Sequence, residues 1–181
     1  MDAKVTWSHG LSFLGTADSG FEVPLGVIKD QGGDDDGFRP MELLLIGLAG
    51  CTAMDAISIM QKKKQEVSSF EVRVHADRAE QHPKVFTHIV IEYLFTGHNL
   101  DRTAAERSVQ LSAERYCPAQ AMLKQAVPIE MVITLIDAWV IKGHVPDDIK
   151  PAVWMPWLPV DHDPAPKIVT DAIKGAYLPL S

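Results

Sequence analysis

Cysteine is scarce in this chain: two residues of 181, Cys51 and Cys117. That excludes a small scaffold held by several disulfides, and the pair reads as free thiols or a transient catalytic disulfide. Positive charge is in deficit too. Seventeen Lys and Arg against 24 Asp and Glu give a formal net charge of −7 with no basic stripe, so no nucleic-acid partner is expected. The opening MDAKVTWSHG lacks a basic stretch followed by an apolar one, and a cytoplasmic protein is expected. No H-E-x-x-H, C-x-x-C or Gly-rich phosphate loop occurs, and His75, His88 and His98 are scattered without ligand spacing. No metal and no other cofactor is therefore expected. Ser12 and Ser58 lack the context of a nucleophilic serine.

What is present reads as an α+β domain with segregated sheets. Val5, Trp7 and Leu11–Leu14 are β-prone about a turn at Ser8-His9-Gly10, and Phe21–Ile28 follows as a further strand. The loop DQGGDDDGF carries Asp34, Asp35 and Asp36, which read as a solvated loop rather than a cation site. Pro40 then opens a helix running to about Lys64, with Glu42 at its positive end and Lys62-Lys63-Lys64 at its negative end. From Leu43 to Met60 it is apolar nearly all round, which predicts burial on several sides. Asp55 near its middle, and the lack of a second such run, favour a buried helix over a membrane span. Gly47 and Gly50 predict a close crossing by another helix or a ligand, and Met54 and Met60 are expected to fill core gaps. A chain this small has little with which to surround such a helix, a hint of dimerisation.

Beyond it, Phe70–Asp77 alternates apolar and polar residues as a half-buried strand does. Phe86–Phe95 puts Ile89, Ile91, Tyr93 and Phe95 on one face. A hairpin loop containing His82-Pro83-Lys84 joins the two. Asp101 or Thr103 caps a helix expected to reach Tyr116, with Val109 and Leu111 turned inward, and a short helix over Ala119–Ala126 precedes a strand over Pro128–Val140. Residues 1–140 thus form one domain. Residues 141–181 form an extension holding Pro146, Pro151, Pro156, Pro159, Pro164, Pro166 and Pro179 with Trp154 and Trp157, which reads as a tail wrapped over some surface.

Local electrostatics rank the two thiols. Cys117 directly precedes Pro118 at a helix N-terminus, where backbone amides favour a thiolate, so it reads as the more acidic. Cys51 lies mid-helix with Asp55 four positions on, a carboxylate that opposes ionisation. Arg39, at the start of that helix, lies roughly 18 Å away along the axis. Glu42 lies about 180° round the helix from Cys51, so it serves the helix end first and a partner subunit's site second.

Two segments carry a family resemblance. RPMELLLIGLAGCTAMDAISIMQKKK, Arg39–Lys64, resembles the long central helix of the OsmC/Ohr family, which bears the first reactive cysteine. ERYCPAQAML, Glu114–Leu123, resembles its second site, a cysteine and proline opening a short helix. The order of elements matches over about residues 1–140, and the chain looks nearest to a lesser-characterised branch with a PMELLL…GGCT-like helix. The resemblance implies an intertwined homodimer with buried central helices, flanking antiparallel sheets and sites at the subunit interface. It implies reduction of organic hydroperoxides, with Cys51 forming a sulfenic acid, Cys117 resolving it, and an external dithiol restoring both. Two departures stand out. Met1–Phe38 contains no arginine to match the family's activating one, leaving Arg39 as the substitute by type. The position after the helix-opening proline is Met41, with Glu42 one later. Two rival readings stay open: a non-catalytic dimer binding an apolar ligand or a protein partner, and thiol chemistry on another electrophile such as a reactive sulfur species.

Overall fold

The computed structural model describes residues 1–137; the Pro/Trp-rich extension expected from residue 141 lies outside the described residues. The chain divides into two compact units, Met1–Leu48 and the residues from Ala49 on.

In the first unit, β1 (Ala3–His9), β2 (Ser12–Ala17) and β3 (Glu22–Leu25) form an antiparallel meander in chain order. The turn predicted around Gly10 is there, with φ +45° at that glycine, a conformation that a side chain would strain. The aspartate-rich loop is exposed at Asp34, Asp35 and Asp36, as a solvated loop should be. Helix α1 (Pro40–Lys62) begins in this unit, and its start is held by the Glu42 carboxylate, which accepts from both the backbone and the side chain of Arg39. The Arg39 backbone N–H donates to Glu42 Oε2 at 3.0 Å while the Arg39 guanidinium Nε donates to Glu42 Oε1 at 2.7 Å. The far end closes through Lys64 at φ 56°, where the Gln65 N–H reaches back to the Met60 carbonyl.

The second unit holds the rest of α1 and a sheet of order β4-β5-β6, built from Val67–Arg78, Phe86–Gly97 and Ile129–Asp137. β4 and β5 are antiparallel, but β6 runs parallel to β5, so this sheet is mixed. The reason is the connection: a helical crossover, not a hairpin, returns the chain to the sheet. That crossover comprises α2 (Arg102–Leu111), one π-helical turn (Ser112–Tyr116) and α3 (Pro118–Leu123). The helix expected to run unbroken to Tyr116 thus changes pitch after Leu111. Ile89, Ile91, Tyr93 and Phe95 are fully buried, as their alternation predicts, and Phe70 stacks on Phe95 at 4.3 Å between centroids. Val109 is buried and Leu111 half-buried.

Asp101 caps α2, its carboxylate accepting from the Thr103 N–H at 2.9 Å. Replacing it by alanine is expected to cost about 1 kcal/mol, read as a fall of about 2–4 °C in melting temperature. Asp101→Asn should restore most of the loss.

Helix α1 departs from expectation. Leu48, Thr52, Ala56 and Met60 are fully buried along one stripe, but Leu44, Ile46 and Met54 are 49%, 51% and 68% exposed. Met60 fills the core as expected; Met54 does not. A Cβ added at Gly47 or Gly50 meets nothing within 4 Å, so the close crossing predicted there is absent among the described residues. By length and composition alone this helix would also suit a membrane, with 22% of its most apolar window buried. Among the described residues, no side chain covers Leu44, Ile46 or Met54.

Candidate functional site

The two cysteines come together. Cys51 lies mid-helix in α1; Cys117 is the residue before α3, 66 positions later, and its Sγ lies 2.8 Å from the Cys51 Sγ. A disulfide needs about 2.05 Å, so less than 1 Å of closure separates the thiols from a bond. Both are free, Cys117 buried and Cys51 half-buried. The Cys117 thiol is placed to donate its hydrogen to the Cys51 sulfur.

Cys117 caps α3 as its place before Pro118 predicts, its sulfur accepting from the Gln120 N–H at 3.3 Å. The acidity inferred from that position is nevertheless overturned. Burial pushes the Cys117 thiol up to about 12, with the hydrogen bond to Cys51 and the nearby Asp55 charge acting in the same direction. The single amide of a six-residue helix opposes this and loses. Cys117 is held toward its protonated form.

A stability prediction follows. An unfolded thiol ionises near pH 8.5, whereas folded Cys117 holds its proton to about pH 12. Between those values the unfolded chain binds fewer protons than the folded one, so stability falls as pH rises. Reduced protein should lose melting temperature through that alkaline window. Cys117→Ala should flatten the slope there, leaving a remainder above pH 10 from Tyr93, which burial raises to about 12.

Beside the thiols runs a buried chain of hydroxyls. Tyr93 Oη lies 2.7 Å from Thr52 Oγ1, Thr52 Oγ1 lies 3.0 Å from Ser112 Oγ, and Ser112 Oγ donates to Asp55 Oδ2 at 3.0 Å. Each hydroxyl owns one hydrogen. Since Ser112 gives its hydrogen to Asp55, Thr52 must donate to Ser112, and Tyr93 to Thr52. All three dipoles therefore point toward the Asp55 carboxylate. The carboxylate oxygen of Asp55 and the two sulfurs lie within 4.8 Å of one another.

Of the residues singled out from sequence, the fold thus unites Cys51 and Cys117, while Arg39 and Glu42 pair with each other. Their ion pair raises the arginine and lowers the carboxyl, and Glu42 plays the capping part expected of it. At the thiols the sequence marked Asp55 only as an adverse charge, Tyr93 only as one residue of a strand face, and Thr52, Ser112 and Gln120 not at all. The sole signal was proximity: Thr52 and Asp55 follow Cys51 by one and four positions, and Ser112 precedes Cys117 by five. The histidines stand apart from this cluster. His75 lies 3.3 Å from Asp77, and His88 lies 3.8 Å from Asp77 and 3.7 Å from Glu130, all on partly exposed sheet positions.

Comparison with known proteins places this arrangement. The model of the OsmC-like protein family matches residues 33–132. The protein YhfA of Escherichia coli K12 is 41% identical over 129 residues, covering 71% of this chain and 93% of YhfA. A hypothetical protein from Aquifex aeolicus VF5 superposes with a TM-score of 0.66 at 29% identity, over 75% of this chain and 96% of that one. An organic hydroperoxide resistance protein OsmC from Legionella pneumophila shares the fold at a TM-score of 0.57 and 19% identity, over 73% and 94% of the two chains. The match across more than half of the residues, together with the identity to YhfA, leaves no ambiguity: the chain belongs to the OsmC-like family.

Proposed function

We propose that this protein reduces organic hydroperoxides with its two cysteines, Cys51 attacking and Cys117 resolving. The observation that carries the reading is the 2.8 Å contact between sulfurs 66 positions apart. Cys51, half-buried, is the sulfur a substrate reaches; Cys117, buried and holding its proton, is the one that waits. Cys51 as thiolate attacks the terminal peroxide oxygen and becomes a sulfenic acid, and the departing alkoxide takes a proton to leave as alcohol. The Cys117 thiol then displaces water from the sulfenic acid to give the disulfide, and an external dithiol returns both thiols. The organic hydroperoxide resistance protein from Legionella, alike in fold, supports the substrate class. The exposed apolar side chain of Met54, three positions on from Cys51 in α1, favours a peroxide with an alkyl body.

The test is to mix reduced protein with cumene hydroperoxide and count thiols. Both should disappear together, giving an intramolecular Cys51–Cys117 disulfide. Thiols that stay reduced at millimolar peroxide refute the reading and favour a non-catalytic dimer of the same fold.

The same reading makes the protein a homodimer. Leu44, Ile46, Gly47, Gly50 and Met54 lie on one side of α1; among the described residues Gly50 is half-buried and the other four are exposed. At about 100° per residue, Cys51 falls at the margin of that side. A second copy laid there would cover the apolar strip and wall the site. Light scattering should give the mass of two chains, and Met54→Asp should reduce it to one. A wild-type monomer at micromolar concentration would count against the assembly.

A further inference from the structure

We propose that the reduced site is also a binding site for a thiophilic divalent cation of the Zn²⁺ class, with Cys51, Cys117 and Asp55 as its three protein ligands. The inference goes beyond peroxide reduction and does not depend on it.

The donor set has the right chemistry and spacing. Two sulfurs and one carboxylate oxygen lie within 4.8 Å of one another, the sulfurs 2.8 Å apart. Around tetrahedral Zn²⁺, with Zn–S near 2.3 Å, two sulfurs sit about 3.8 Å apart. Opening the pair by about 1 Å, within reach of a cysteine χ1 adjustment, would seat the ion between them. Cys51 and Asp55 are four apart on α1, so one helix face offers both, and Cys117 closes the third side from the start of α3.

The surroundings orient these donors as an outer shell does. Ser112 donates to Asp55 Oδ2 and so fixes the carboxylate; behind it, Thr52 and Tyr93 hold Ser112 in place. The Gln120 amide fixes the Cys117 sulfur. Three protein ligands leave a fourth position for water.

Charge completes the argument. No lysine or arginine among the described residues forms an ion pair with Asp55, whose recorded partner is the Ser112 hydroxyl. Binding exchanges two thiol protons for one dication: Cys51–SH + Cys117–SH + M²⁺ gives a dithiolate–metal complex and two H⁺. The site carries one net negative charge before and after, so the exchange of metal for protons adds no net charge to it. Metal and disulfide then exclude each other, since both use the same two sulfurs. Oxidation would release the ion, and the ion would shield the dithiol.

Cadmium is the probe, because its thiolate complexes absorb in the ultraviolet. Titrating the reduced full-length protein with Cd²⁺ should give a sulfur-to-cadmium band that saturates at one ion per chain, with two protons released, and added Zn²⁺ should bleach it. Asp55→Ala should weaken binding by at least the roughly 10–100-fold that loss of an outer-shell partner costs, while leaving the two-thiolate band. Cys51→Ser and Cys117→Ser should each lose it at stoichiometric metal, and protein oxidised to the disulfide should bind none. Circular dichroism and native mass confirm that each variant is folded; should Asp55→Ala fail, Asp55→Asn answers the same question. Absence of the band in folded, reduced wild-type protein overturns the proposal. So does affinity unchanged in both Asp55 variants, since the ligand set then lacks its carboxylate. Neither result bears on thiol loss with cumene hydroperoxide, so this site and the peroxidase reading fail separately.

Discussion

Cys51→Ser is expected to abolish hydroperoxide reduction and leave Cys117 reduced, whereas Cys117→Ser is expected to keep the first turnover and lose the rest. The asymmetry follows from the site. In Cys51→Ser the remaining thiol is still buried, and burial is the largest cause that raises it; a protonated thiol is a poor nucleophile. In Cys117→Ser the accessible sulfur still attacks, but its sulfenic acid has no thiol 2.8 Å away to condense with. Single-turnover oxidation should then stay within about threefold of wild type, with steady-state reduction falling by roughly tenfold or more unless a small thiol is supplied. Mass spectrometry after dimedone trapping decides the roles. An adduct on Cys51 in Cys117→Ser supports them, and an adduct on Cys117 in Cys51→Ser reverses them.

The second large effect concerns the hydroxyl chain. Thr52→Val removes a buried hydroxyl at nearly constant volume and strands the Tyr93 hydroxyl, whose hydrogen has no other acceptor among the described residues. Leaving a buried donor unsatisfied costs about 1–3 kcal/mol, and Ser112 also loses the donor that fixes its direction toward Asp55. Tyr93→Phe removes the end of the chain and leaves Thr52 free to donate to Ser112, so about 1 kcal/mol is expected. The double variant should be more stable than Thr52→Val alone, because it takes away the stranded hydroxyl. Urea unfolding of the four proteins closes the cycle. Strict additivity would mean that Tyr93 and Thr52 do not act through each other.

Much of the scaffold was legible because short-range patterns encode it. The alternation of Ile89, Ile91, Tyr93 and Phe95 needs only the two-residue period of a strand, and Pro40 with Glu42 announces a helix start. The cysteine pairing was legible only through resemblance, since nothing local links positions 66 apart. The hydroxyl chain was not legible at all: Thr52, Tyr93 and Ser112 are each ordinary where they stand and meet across 41 and 60 positions. The acidity of Cys117 misled for a different reason. A helix N-terminus can be read from Cys-Pro, but the depth of burial that outweighs it belongs to the packing of the whole unit. In α1, an all-round apolar sequence says that every side wants cover without saying which molecule supplies it.

The sulfur of Cys117 holds two offices at once, as half of the thiol pair and as the acceptor for the first turn of α3. A thiol, the Cys51–Cys117 disulfide and a metal-bound thiolate offer that turn three different acceptors, so the chemical state of the pair is transcribed into the backbone at Gln120. Its amide proton is a built-in reporter: nuclear magnetic resonance at that one position could follow the cycle in an unmodified protein, without a trapping reagent or an added dye.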